Sequence, residues 1–303
     1  MVRLGYACIN QTCGLSPNKT CILKTLRISS NPYQLLIDKS LDNLKCLLEI
    51  LKWNKQNNIM FYRCSSSMFP HISNPKIISI IGIDNFKEYN SFKPFLSILK
   101  EIKQFASKIR LTMHPGQFCQ LASPKEDVVK NSIMDLEWHA KFLDLVGDYN
   151  STICIHGGGT WGDKKAALER LTHELKLLPP YILNKVCLEN CEKSWSAQEL
   201  LPVCEDVGIP LIFDFHHYNC YSGKQSPINS FLPRILATWG DKRPKFHLSD
   251  QDPNKKLGAH HDYVKKIPKE LVALRRGFDI MIEAKAKELA LLYLYKKYFV
   301  SAN

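Results

Sequence analysis

The chain has 303 residues, 45% of them apolar and 23% charged, with 14 Gly and 16 Pro, a composition that excludes fibrous, collagenous and disordered classes. No apolar run approaches the ~18 residues of a membrane span and no apolar segment follows Arg3, so the expectation is an intracellular protein, cytoplasmic or nuclear, with neither membrane anchor nor secretory signal. Lys plus Arg number 41 against 29 Asp plus Glu, and this net +12 favours a polyanionic partner, nucleic acid first.

In chain order, short β-rich apolar runs predict strands over residues 2–9, 59–64, 110–114, 152–156, 185–190, 210–216, 244–248 and 279–283. Helical patterns fall after them, over 41–57, 93–108, 124–146, 164–178, 197–207, 227–239, 263–275 and 284–298. Two helix starts carry capping chemistry. Ser123-Pro124-Lys125-Glu126 offers an N-cap, a proline at N1 and a glutamate at N3, and Ser196-Ala197-Gln198-Glu199 is a capping box. Strict βα alternation eight times over implies a parallel sheet closed into a TIM (β/α)8 barrel, taken as a single domain over residues 1–303, since no linker or repeat divides the chain. The 11 Cys are scattered with no CxxC pair, which points to reduced, mostly buried thiols.

Polar residues suited to metal ligation recur where these strands end: His71 after the second, His114, His156, Glu189, then Asp214 and His217, His247 and, after it, His260, and finally Glu283. In a barrel that is the face on which active sites are built. His139 and His173 fall on helices and read as surface or packing residues. His216 and His217 stay open, because strand alternation puts Asp214 and His216 on one face only while the strand lasts. Nine nitrogen and carboxylate ligands exceed what one ion needs, so two or three divalent ions are expected, Mn²⁺ or Zn²⁺. Such clusters serve phosphate-ester displacement, and with the +12 charge they point to hydrolysis of nucleic acid. Gly157-Gly158-Gly159 offers either a phosphate cradle or a plain glycine turn. Gln117-Phe118, on the loop after His114, pairs an amide with an aromatic that could insert into a base stack or tuck against the rim. Tyr6 and Asn10 follow the first strand.

Together these residues resemble the ultraviolet-damage endonuclease family. The matching stretches are Arg3-Leu4-Gly5-Tyr6 with Asn10, Arg63-Cys64-Ser65-Ser66 with Pro70-His71, Met113-His114-Pro115-Gly116-Gln117-Phe118, Ile155-His156-Gly157-Gly158, and Leu188-Glu189-Asn190. Further on come Phe213-Asp214 with His217, Lys245-Phe246-His247-Leu248-Ser249, His260 with Asp262-Tyr263, and Met281-Ile282-Glu283-Ala284-Lys285. The resemblance implies a barrel nuclease related to the endonuclease IV type that incises double-stranded DNA 5′ to photoproducts and some other distorting lesions, with manganese the leading metal. It assigns His71, His114, His156, Glu189, Asp214, His217, His247, His260 and Glu283 as ligands, and so favours His217 over His216. It makes Gln117 and Phe118 the wedge, commonly with Tyr at the second place, and puts Tyr6 and Asn10 on the lesion side. Cys64, where an aliphatic residue is more common, reads as a packing variation.

On this basis Glu189 is expected to bridge two ions, with His114 and His156 on one and Asp214, His247 and Glu283 on the other. His217 and His260, with His71 nearby, would serve a third. The expected reaction leaves a 3′-hydroxyl and a 5′-phosphate, and a monomer is expected to carry it out. Lys245 is two residues before His247, so alternation faces it toward the ions, where a neutral amine or a carbamate would relieve the repulsion; if the strand is out of phase, it reaches solvent or a DNA phosphate instead. Glu189, Lys245 and His247 are therefore the expected catalytic residues. The alternatives are a general abasic-site endonuclease, a metal-dependent sugar isomerase or epimerase, and a damage-recognition module without activity.

Overall fold

The computed structural model describes residues 2–223 and 225–300. Eight parallel strands close on themselves in sequence order: β1 (Val2–Ala7), β2 (Phe61–Arg63), β3 (Arg110–Met113), β4 (Thr152–His156), β5 (Val186–Glu189), β6 (Leu211–Asp214), β7 (Lys245–Leu248) and β8 (Phe278–Ile282). The ring closes through β1 and β8, paired from Val2 with Phe278 to Tyr6 with Ile282. This is the TIM barrel that the alternation implied; β4 matches its apolar run, β8 has the expected length one position earlier, and the other six strands are shorter than their runs. Among the described residues no helix is long and apolar enough to cross a membrane.

Alternation along each strand sorts the side chains. One set packs outward against the helices in a continuous apolar layer that includes Leu111, Ile153, Ile155, Leu188, Phe213, Phe246 and Ile280. The other set fills the barrel and is strongly polar. At its lower end Asp279 is buried and accepts from Arg3 Nε at 2.7 Å, Arg110 Nη1 at 2.8 Å and Arg243 Nε at 2.6 Å. Burial opposes ionisation of Asp279, but Arg3 and Arg110 outweigh it and hold its carboxyl below the usual range. Gly5 is needed at the β1–β2 contact, since a Cβ there would lie 2.4 Å from the Phe61 ring.

The outer helices depart from the sequence expectation where prolines and caps intervene. The first long helix starts at Pro32, nine positions early, because Asn31 caps it by accepting from Gln34 N and Pro32 occupies its first turn. The capping box at Ser196 and Glu199 is present in both directions, whereas Ser123 does not cap its helix. Its Oγ accepts from Lys125 N in a preceding turn, and the helix runs Glu126–Val146. The segment over 263–275 contains only the turn Lys269–Val272, because Pro268 lies mid-segment without an N–H to donate. The expected helices over 93–108 and 227–239 open as separate 3-10 turns, Lys93–Phe95 and Ile228–Ser230, ahead of Leu96–Ala106 and Leu232–Thr238. The last begins at Lys287, because Lys285 N and Ala286 N donate to the carbonyls of His261 and Asp262 instead of starting a helix.

Candidate active site

The C-terminal strand ends deliver a compact set of ligating groups. His156 on β4 pairs in register with Glu189 on β5, and Asp214 on β6 with His247 on β7, and alternation turns all four into the mouth. Past the last rung of the β5–β6 ladder the Asn190 amide takes over, donating to Asp214 O at 3.0 Å and accepting from Asp214 N at 2.9 Å. Asp214 then caps the helix Phe215–Cys220 by accepting from His217 N at 2.7 Å. That helix start breaks the expected strand over 210–216 and resolves the histidine pair. His217 swings back over Asp214 and Glu189, while His216 turns toward Cys220 and His260.

Glu189 lies at the centre. Its Oε1 is 2.8 Å from His247 Nδ1 and 3.5 Å from His217 Nδ1, and its Oε2 is 3.4 Å from His114 Nε2 and 3.9 Å from His156 Nε2. Burial raises its pKa, but His247 and His156 overcome that and hold the carboxyl well below its ordinary value. Glu283 stands 3.2 Å from His247 Nδ1 and pairs with Arg63 on β2; burial again opposes ionisation, and Arg63 and His247 depress its pKa. Asp214 is raised, chiefly by burial. Burial also takes His156 down to about 4, so its ring is neutral near pH 7. For His217 burial is outweighed by Asp214, Glu189 and Glu283, which push it up to about 9.

Among the described residues, several buried atoms in this cluster have no hydrogen-bond partner: His156 Nδ1, Asp214 Oδ2 and His247 Nε2. Buried polar atoms are rarely left so unless something else completes them. Among the described residues, three sets of nitrogen and oxygen donors lie close enough to hold an ion: His114, His156 and Glu189; Glu189, Asp214 and His217; and Asp214, His247 and Glu283, each within 4.8 Å. A fourth set joins Cys154 to Glu189 and His247. Donor chemistry and unsatisfied atoms therefore fit divalent cations.

Seven of the nine sequence-predicted ligands meet in these three sets. His71 and His260 do not. His71 has a left-handed backbone (φ 59°), with Nε2 2.8 Å from Cys21 O. His260 is nearer, its Nδ1 2.7 Å from Glu283 O. Lys245 points into the barrel, fully buried, with no hydrogen-bond partner for Nζ among the described residues, so the alternative of a solvent-facing lysine does not hold. Burial lowers its pKa.

On the rim, Gln117 is exposed and Phe118 is 83% exposed, so this aromatic is not tucked away. The loop separates a cavity of about 500 Å³ that includes Asn74, Phe118 and Asp135 from one of about 310 Å³ beside His114 and His156. Tyr6 and Asn10, by contrast, are fully buried. Tyr6 OH donates to Asn54 Oδ1 at 2.7 Å and accepts from Asn10 Nδ2 at 2.8 Å, so the pair supports the loop after β1 from beneath. The glycine run is not a free phosphate cradle, since Gly159 N donates to Gln120 Oε1 at 2.9 Å.

Three residues escaped the sequence reasoning as site residues. Gln120 ties the Gln117–Phe118 loop to the glycine loop, because its Nε2 also donates to Gln117 O at 2.7 Å. Trp161, 48% exposed with φ 53°, lies against Gly159, where a Cβ would meet its indole at 3.2 Å. Arg63 steadies Glu283, and its inward position at the end of β2 was the available signal. No periodicity marks the other two.

The comparisons with known proteins agree with this construction. The UV-endonuclease UvdE family model matches residues 2–301. The chain is 36% identical over 315 residues to a protein of Acanthamoeba polyphaga mimivirus assigned to the UV-damage endonucleases, covering 99% of this chain and 92% of that protein. It is 33% identical over 267 residues to the UV DNA damage endonuclease of Bacillus thuringiensis subsp. konkukian, covering 85% and 81%. The crystal structure of SacUVDE superposes with a TM-score of 0.83 at 34% identity, over 98% of each chain. With barrel, ligating rim and family match all in agreement, the chain belongs to the UV-damage endonuclease family and is a DNA repair endonuclease.

Proposed function

We propose that this endonuclease hydrolyses the phosphodiester 5′ to ultraviolet photoproducts in double-stranded DNA, both cyclobutane dimers and 6-4 photoproducts, and incises at abasic sites as a lesser activity. It acts as a monomer with two or three divalent ions, Mn²⁺ first and Zn²⁺ as the substitute. The observation that carries this reading is the convergence of buried, partly unsatisfied donors on Glu189 in the mouth of a basic barrel. His114, His156 and Glu189 would hold one ion, Asp214, His247 and Glu283 a second, and His217 with Glu189 a third, with His260 and His71 as outer supports. When bound, the ions supply Lewis acidity, lowering the pKa of water and neutralising charge on the reacting phosphate.

The chain's own residues set the geometry. Glu189 fixes the His247 ring through its Nδ1 contact and shares its two oxygens between the two sides of the cluster. Arg63 keeps Glu283 ionised, so that this carboxylate meets the cluster as an anion. Lys245 lies beneath as a neutral amine or a carbamate, because an ammonium there would repel the cations above it. Gln117 and Phe118 enter the base stack at a distorted step, where a lesion has already weakened stacking. Tyr6 and Asn10 then reach the lesion side only through the loop they support.

The test is incision of duplexes carrying a cyclobutane dimer, a 6-4 photoproduct or an abasic site, using metal-stripped protein with Mn²⁺ or Zn²⁺ restored. Expected is metal-dependent cleavage 5′ to both photoproducts, leaving a 3′-hydroxyl and a 5′-phosphate. Cleavage confined to the abasic duplex, or undiminished in chelator, would contradict it.

A further inference from the structure

The cluster has a floor of a different chemical kind. Along β4, alternation puts Cys154 on the same side as His156, one rung deeper, and in register with Cys187 on β5. Its thiol packs with Cys187, Ile212 and Trp239, as a small apolar filler would, yet it also donates to Glu189 Oε2 at 2.7 Å. Sγ, a Glu189 oxygen and a His247 ring nitrogen all lie within 4.8 Å of one another, and all three residues are buried. His247, itself fully buried, has no hydrogen-bond partner for Nε2 among the described residues.

We propose that Cys154 is a metal ligand, and that Cys154, Glu189 and His247 form a deep site for thiophilic divalent ions such as Zn²⁺ or Cd²⁺. It rests on the metal centre proposed above and adds to it a soft donor. Zinc bonds sulfur at ~2.3 Å and nitrogen or oxygen at ~2.0–2.2 Å, so a short opening of the Cys154–Glu189 contact admits an ion. The Sγ–metal bond replaces the S–H bond, and the proton leaves to solvent; nothing is oxidised. Manganese prefers oxygen donors and gains little from a thiolate, so it stays in the upper sets. The two arrangements share Glu189 and His247 and therefore exclude each other. Cys154 thus sets metal selectivity: thiophilic ions are drawn one rung down, away from the mouth, and compete with manganese there.

The protein, metal-stripped and titrated with Co²⁺, tests this by absorption. Wild type should show a near-ultraviolet sulfur-to-cobalt charge-transfer band with the first equivalent, and Cys154→Ser and Cys154→Val should lose it while keeping the visible cobalt bands. Cd²⁺ affinity by competition with a chelator should fall at least about tenfold in both variants, as for loss of a supporting group or more, while Mn²⁺ affinity stays within about twofold. Visible cobalt bands without charge transfer in wild type would overturn the proposal and leave the metal centre standing. A charge-transfer band that persists in Cys154→Ser would assign the sulfur elsewhere, to Cys187 beside it or to Cys119 or Cys191 at the rim cavity, and overturn the proposal. A protein that binds no cobalt at all would remove both this proposal and the metal centre beneath it.

Discussion

A histidine surrounded by carboxylates keeps its proton until something better arrives. Burial alone would lower His217, but Asp214, Glu189, Glu283 and Glu192 push it up to about 9, above the ~6.5 of an unfolded chain. Its contribution to metal-free stability is therefore full below about pH 6.5 and is lost as pH rises through about 9. Ligation needs the neutral ring, so Mn²⁺ affinity should rise between pH 6.5 and 9, by up to about tenfold per unit. Paramagnetic titration at several pH values checks this, and the slope should flatten in His217→Asn; a wild type with no slope would contradict it. Lys245 makes a second case. Fully buried and without a hydrogen-bond partner among the described residues, it cannot reach DNA, so Lys245→Met should lower turnover about 10- to 100-fold with DNA affinity within about twofold. Single-turnover kinetics beside equilibrium binding separates the two, and a loss confined to affinity would contradict the placement. The inward phase of Lys245 was legible from its spacing to His247, whereas the choice between His216 and His217 was not. That choice depends on where β6 yields to a helix, and Asp214 makes the switch by capping with its own side chain.

At the level of elements, the strands and their order were legible because a closed parallel barrel demands apolar runs at regular intervals. The helices were less so, since their ends depend on single caps and prolines, as at Asn31, Ser123 and Pro268. The loops carried the least signal. Nothing in the sequence announces that Gln120 bridges the wedge and glycine loops, or that Trp161 lies along Gly159. The amide and aromatic after a strand end, Gln117 and Phe118, were visible in the sequence, and their exposure fits the proposed wedge. Replacing Gln117 and Phe118 together by Ala should therefore cut the preference for lesion-containing over undamaged duplex by at least about tenfold, since each group offsets unstacking worth a few kcal/mol. Affinity for undamaged duplex should barely change. Competition binding with matched duplexes reads the ratio, and unaltered discrimination would reduce the loop to a rim contact.

Over the whole molecule, charge and ligands are divided between different tasks. The net +12 suits the DNA backbone, whereas three carboxylates, Glu189, Asp214 and Glu283, converge in the barrel mouth, where cations are wanted. Phosphate contacts release condensed counterions, so affinity for undamaged duplex should fall by about 10³-fold or more between ~50 and ~200 mM salt if six or more contacts form. A flat dependence of log affinity on log salt, by fluorescence anisotropy, would point to a small-molecule substrate on the same fold. The central claim, that the cluster on Glu189 is the reaction centre and is separable from DNA recognition, meets its most direct test in Glu189→Gln, which keeps the shape and removes the charge. Binding and incision are measured on one photoproduct duplex, in the same buffer and with Mn²⁺ present. Lesion binding should stay within about twofold of wild type while incision falls by at least about 10³-fold, the scale on which shared metal and electrostatic stabilisation is lost. Full turnover by the purified Glu189→Gln protein would contradict it.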